Sequence, residues 1–112
     1  MGYNVSENIL PAKTDTGAGE TKTPRNFGNK SFQTRGYTSS GAGASVIRID
    51  GSNVPTPTTN DWITIKSFDE LTLGTTPTGA GWESTVAYRH YRAYVVSISG
   101  TGATMDVYMA GA

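Results

Sequence analysis

The sequence has no cysteine and only one histidine. Without cysteine the chain can form no disulfide and offers no thiolate to a metal ion or a nucleophilic reaction. The histidine, His90, lies between Arg89 and Tyr91 in a β-rich run, a position typical of a surface or interface residue rather than a catalytic base. No G-x-S-x-G elbow surrounds any serine. Nucleophilic catalysis therefore lacks its components.

Acidic residues are few, and their spacing matches no known site. Paired carboxylates such as Asp61, Asp69, Glu70 and Glu83 could hydrolyse a sugar, but Asp69 and Glu70 lie in a turn-like stretch where acids are ordinarily solvated, and Asp61 likewise precedes a strand. Asp50, Asp61 and Asp69 lack the spacing of a calcium loop. We expect no catalytic residue, no cofactor and no metal, and predict that the protein is not an enzyme.

The chain also lacks a charge of one sign and a long apolar run. Nine basic residues balance nine acidic ones, and the basic residues are dispersed, which argues against nucleic acid as a partner. No apolar stretch approaches the length of a membrane span, and the N-terminus has no signal-peptide pattern. We expect a protein made in the cytoplasm, with no membrane partner.

Leucine and glutamate are scarce whereas glycine is abundant, with 14 residues, so the composition disfavours helix and indicates an all-β protein. About seven short strands with turns between them predict an antiparallel β-sandwich or a jelly-roll-like barrel. The longest strand has one face with Arg92, Tyr94, Val96 and Ile98, and another with Tyr91, Ala93, Val95 and Ser97. The predicted strands are Ser31–Thr38, Ala44–Asp50, Asp61–Phe68, Leu71–Thr75, Trp82–Val86, Tyr88–Ser99 and Ala103–Met109.

Residues 1–30 differ in composition from this body at residues 31–112. They are polar, show no sustained period, and have too few apolar residues for a core of their own. Composition alone allows a disordered tail or an extended N-terminal arm that a neighbouring subunit covers. If the segment is an extended arm, its apolar residues are predicted to contact a partner: Met1, Tyr3, Val5, Ile9, Leu10 and Phe27.

Two glycine motifs and the aromatic residues each have a structural and a functional interpretation. Ser40–Ser45 and Ser99–Thr104 share the pattern S-G-x-G-A. β-forming residues follow both, which favours tight hairpins over a phosphate-binding loop before a helix. The aromatic side chains either fill the core and an oligomer interface or form a glycan-binding platform. The candidates for the interface are Trp62, Trp82, Tyr91 and Tyr94.

The run from His90 to Met109, which contains R-A-Y-V-V-S-I-S-G-T-G-A-T, resembles the ends of small structural proteins of tailed-bacteriophage virions. Arg48 with Asp50–Asn53, followed by Asp61 and Trp62, resembles a hairpin common among them. The likeness covers about residues 35–112.

Among virion roles, this resemblance is strongest to a capsid decoration, or cement, protein. It implies a non-enzymatic β-sandwich, commonly a homotrimer, on the capsid exterior. Its partners would be the major capsid protein and copies of itself, and its function would be to stabilise the capsid. The alternative is a tail or head-fibre module that binds glycans of the host surface.

Overall fold

The computed structural model describes residues 5–24, 29–85 and 87–111, and of Val5 the backbone alone. The strands in these ranges form two antiparallel sheets of four and five strands, with a short 3-10 turn at Thr59–Asp61. This arrangement confirms the predicted all-β sandwich. The strands are β1 Val5–Asn8, β2 Gly17–Ala18, β3 Lys30–Tyr37, β4 Ser40–Ser52, β5 Ile63–Ser67, β6 Leu71–Leu73, β7 Gly81–Glu83, β8 His90–Thr101 and β9 Thr104–Gly111.

The two sheets each contain one long central ladder. Sheet A has the order β1-β9-β3-β7, and its central ladder joins β3 to β9. Sheet B has the order β2-β8-β4-β5, with β6 also pairing with β4, and its central ladder joins β4 to β8. The chain crosses between the sheets from β3 to β4 and again from β8 to β9. The two central ladders are therefore linked twice.

The core lies between the sheets because alternate residues of each strand point inward. In β3, buried and exposed residues alternate without exception from Lys30 to Gly36. All seven predicted strands are present, with ends shifted by at most four residues. The buried hydrophobic residues are Ile9, Leu10, Phe32, Ile47, Ile49, Phe68, Leu73, Tyr91, Ala93, Val95, Ala103, Met105, Val107 and Met109.

The lead segment, residues 1–30, contributes an edge strand to each sheet. Within its described part, β1 pairs with β9 at the edge of sheet A, and β2 pairs with β8 at the edge of sheet B. Between and beyond these strands, Lys13 exchanges two backbone hydrogen bonds with Met105, and Lys22 exchanges two with Tyr91. The segment therefore runs along β9 and then β8, and closes one side of the sandwich.

Ile9 and Leu10 explain why this segment joins the body. Both are 0% exposed and lie in the common hydrophobic core. The backbone N–H of Ile9 donates to the carbonyl of Val107 at 2.8 Å, and its carbonyl accepts from Glu20 at 3.1 Å. The described part of the lead segment thus belongs to the sheets of the body, in place of the separate arm that its composition suggests.

A bulge in β8 changes which residues share a face. Val96 has no partner in the ladder with β4, where the register shifts. One extra residue turns the side chains that follow it to the opposite face of the sheet. Ile98 accordingly packs against the core while Ser97 is exposed. The prediction that Ile98 shares a face with Arg92 and Tyr94 is wrong for this reason.

The two S-G-x-G-A motifs lie where the chain crosses between sheets, and neither is a hairpin of paired strands. The second motif makes a tight turn at Gly100–Ala103, but β8 and β9 belong to different sheets. The first lies inside β4, where the register shifts between Ser40 and Ala44. The hairpin prediction is corrected accordingly.

These motifs contact each other, which explains two of their glycines. A Cβ on Gly100 would lie 2.8 Å from the Cα of Gly43, and a Cβ on Gly43 would lie 2.2 Å from the carbonyl oxygen of Ser99. Gly100 also has a φ of 115°, which L side chains rarely adopt. The backbones of the two crossings therefore approach too closely for any larger residue at either position.

We predict that Leu10→Ala destabilises the isolated protein by about 2–5 kcal/mol, because it leaves a cavity in the core. Urea unfolding followed by tryptophan fluorescence measures the change. Val54→Ala is the control, since Val54 is 39% exposed and its truncation should cost less than about 0.5 kcal/mol. Equal stabilities of the Leu10→Ala variant and the control would contradict the placement of the lead segment in the core.

Candidate functional site

The predicted partner contacts of the lead segment divide into two groups. Met1, Tyr3 and Phe27 lie outside the described residues, as does the side chain of Val5. Ile9 and Leu10 are completely buried against the core of their own chain. These two side chains therefore present no surface to a partner, and their predicted role as partner contacts is replaced by one in the core.

Two of the four predicted interface aromatics are core residues or adjoin the core. Tyr91 is 0% exposed, with its ring 5.5 Å from that of Phe32. Burial raises the pKa of the Tyr91 hydroxyl above its ordinary value of 10.0, and this oxygen accepts the backbone N–H of Tyr88 at 2.8 Å. Trp82 stacks on Phe32 at 5.9 Å and is half-buried. Tyr91 is thus corrected from an interface residue to a core residue.

The other two, Trp62 and Tyr94, flank two arginines on the outer face of sheet B. Tyr94 and Arg92 alternate with inward-facing residues of β8, and Arg48 lies opposite Tyr94 on β4. The Arg48 guanidinium lies over the Tyr94 ring, 4.0 Å from its centroid. The Arg92 guanidinium lies 4.6 Å from the Trp62 ring and 5.5 Å from that of Tyr94. Cations and rings therefore alternate across this face.

The carboxylate of Asp50 binds both arginines. Its side chain is only 1% exposed and accepts hydrogen bonds from Nε of Arg92 at 2.9 Å and Nε of Arg48 at 3.1 Å. The hydroxyl of Thr64 donates a third, at 3.3 Å. A buried carboxylate needs such partners, because charge-assisted hydrogen bonds offset its loss of hydration. We call Arg48, Asp50, Trp62, Arg92 and Tyr94 the arginine cluster.

The arginine cluster has an excess of positive charge, and its outward nitrogens are available for binding. Two guanidinium groups and one carboxylate leave a net charge of +1. Within the described residues, the Nη nitrogens of Arg48 and Arg92 make no hydrogen bond, and no buried side-chain nitrogen lacks a partner. These nitrogens therefore retain some contact with solvent. Chemically, the cluster can bind an anion through rigid, planar donors.

The outer face of sheet A has a different character, a shallow depression of about 400 Å³. Tyr108 lies beside Gln33 on the neighbouring strand, and Glu83 lies beside Ser31. Aromatic rings beside polar groups are an arrangement that can orient a polar ligand. The depression is lined by Ser6, Ser31, Phe32, Gln33, Gly81, Trp82, Glu83, Tyr108 and Ala110.

His90 has a structural role in the described chain. Its Nδ1 is 2.7 Å from the hydroxyl of Thr23, and its Nε2 is 3.1 Å from the carbonyl of Pro55. The ring is buried, with 6% exposure. Both ring nitrogens are therefore engaged, and the side chain holds the lead segment and the loop that contains Pro55 against β8.

The remaining acidic residues are dispersed. Asp61 accepts from the backbone N–H and the hydroxyl of Thr58, and the backbone hydrogen bond is the main reason its pKa is lowered. Asp69 and Glu70 are exposed. Across residues 5–24, 29–85 and 87–111, no three His, Cys, Asp or Glu side chains are placed to hold a metal ion. The same ranges contain no helix long and apolar enough to span a membrane.

Comparison with known proteins finds no relative for this chain. No protein-family model, no curated protein and no solved structure matches it.

The sequence contains a signal for the arginine cluster, although it does not predict the cluster by itself. Arg48 and Asp50 are two residues apart in a predicted strand, and Arg92 and Tyr94 are two apart in another. Period two places each pair on one face. The pairing of the two strands, which brings Asp50 opposite Arg92, is long-range information that period alone does not contain.

We predict that Asp50→Asn destabilises the protein by about 2 kcal/mol, because both arginines lose the charged acceptor that offsets their partial burial. Urea unfolding measures the change. Asp69→Asn is the matched control and should shift stability by less than about 0.5 kcal/mol, since Asp69 is exposed. A loss for Asp50→Asn no larger than that of the control would show that the charge of Asp50 contributes nothing measurable to stability.

Proposed function

We propose that this chain is a non-enzymatic structural protein of a tailed-bacteriophage virion. In this proposal it binds the major capsid protein on the outer surface of the capsid, as a homotrimer, and stabilises the assembled shell. The resemblance of residues 35–112 to small virion proteins suggests the setting. The structural observation that carries the proposal is the arginine cluster on the outer face of sheet B.

The composition of this cluster is that of a protein-binding surface. Trp, Tyr and Arg are the residue types most enriched among those that dominate binding energies at protein interfaces. Here two arginines, a tryptophan and a tyrosine lie in mutual contact on one face. Val96, which is 45% exposed, lies two residues beyond Tyr94 in β8. Half-buried rings beside an exposed aliphatic side chain supply apolar contact area around the charged centre.

The architecture supports contact through a sheet face rather than through the lead segment. β1 and β2 are already paired with β9 and β8, and Ile9 and Leu10 are already buried. A rigid face loses little conformational entropy when it binds. A protein that binds only the assembled shell stabilises that shell by mass action, by an amount that grows with its concentration above the dissociation constant.

We predict that the purified protein co-sediments with expanded capsids of the phage that encodes it and raises the temperature at which they release DNA. Binding that saturates at a fixed number of copies per capsid, and is weaker on unexpanded shells, is the expected result. Shells incubated with a heat-unfolded sample are the control. Recovery of the protein only with tails or fibres, and none on capsids, would overturn the proposal.

A second function, glycan binding by a tail or head-fibre module, is favoured by the depression on sheet A. Tyr108 could stack on a sugar ring, while Gln33 and Glu83 could bond its hydroxyls. A glycan array distinguishes the two functions. Specific binding that is lost on Tyr108→Ala but retained on Tyr37→Ala would favour the glycan module, since Tyr37 is not part of the depression.

A further inference from the structure

The arginine cluster identifies the chemistry of the partner, in addition to the position of the contact. The whole chain is neutral, so the charge of +1 at the cluster is a local excess. Among the described residues, no acidic side chain other than Asp50 lies within ion-pair distance of Arg48 or Arg92. A partner placed on this face gains most if it brings a negative charge.

The geometry of the guanidinium groups suits an oxyanion such as a carboxylate. Each arginine uses Nε to bind Asp50, and each is held by stacking on an aromatic ring. The Nη nitrogens are therefore already oriented, and little side-chain entropy is lost when they bind. A planar carboxylate matches the fork of such donors. The side chain of Arg48 is 31% exposed and that of Arg92 is 14% exposed, so Arg48 is the more accessible of the two.

The surroundings of the cluster favour an acidic protein segment over a polyanion. Basic residues are dispersed along the sequence of this neutral chain, whereas nucleic-acid binding uses clustered basic residues. Next to the charged centre lie the half-buried Trp62 and Tyr94 and the exposed Val96. Such a mixture of apolar area and a few donors is the usual composition of a protein interface.

We propose that the outer face of sheet B binds an acidic segment of a partner protein, and that Arg48 and Arg92 take up its carboxylates through their Nη nitrogens. This inference rests on the proposed function, in which the partner is the capsid protein. The contact combines charge-assisted hydrogen bonds with apolar packing on Val96 and the two rings.

The first test is an NMR titration of ¹⁵N-labelled protein with an acetylated, amidated hexaglutamate peptide, and with hexaglutamine as the neutral control. We expect saturable shifts of the Nε–H signals of Arg48 and Arg92 and of the Trp62 indole, which weaken as salt is added. Arg35, which stacks on Tyr37 on sheet A, should not shift. The absence of shifts, or equal shifts with hexaglutamine, would overturn the inference. Shifts as large with glucuronate or phosphate at equal charge would overturn the assignment to a protein segment.

The second test uses Arg48→Lys, which retains the charge and removes the planar fork. We expect it to weaken peptide binding and capsid binding by about fivefold, the equivalent of one ordinary hydrogen bond. Arg35→Lys is the matched control and should bind like the native protein. Unchanged capsid binding by Arg48→Lys would overturn this inference and leave the proposed function standing. Peptide binding by a protein that does not bind capsids would overturn the proposed function alone.

Discussion

The burial of Ile9 and Leu10 between the two sheets is the interaction on which the rest of the structure depends. A two-sheet sandwich of this size has open edges on both sides, and exposed edges can pair with other chains. Here the polypeptide uses its own first strands to cover β9 in one sheet and β8 in the other. Two apolar side chains fix that cover in place on one side of the sandwich, while β7 and β5 remain the edge strands on the other side.

Most of the body could be predicted from local patterns, whereas the lead segment could not. Runs such as Tyr88–Ser99 are rich in β-branched and aromatic residues, and turn residues separate these runs. The strands of the body therefore follow from the local sequence. The segment before Lys30 has no such run; its strands are short and are held by pairing with residues 76 to 106 positions away. Neither pairing partners nor the bulge at Val96 follow from periodicity, because both depend on how separate strands meet.

The candidate site shows the same division between local and long-range information. The two-residue repeat of a β-strand correctly predicts that Arg92 and Tyr94 share a face of their strand. Trp62 and Tyr94 are candidates for an interface on the sequence alone. What connects them is Asp50, a buried carboxylate that two arginines and Thr64 satisfy together. The arginines and the aromatic rings alternate only because β4 and β8 pair side by side. The sequence contains these residues but does not show that they lie together.

Because Gly43 and Gly100 contact each other, the residue type that one glycine motif tolerates depends on the other motif. Because a methyl group at either position would occupy space that the opposite backbone now fills, substitutions at these two positions should be non-additive. The repeated S-G-x-G-A pattern thus records one shared steric requirement at neighbouring crossings rather than two independent turns. No substitution at the opposite glycine can make room for a side chain, because no residue is smaller, so only a shift of both backbones would admit one.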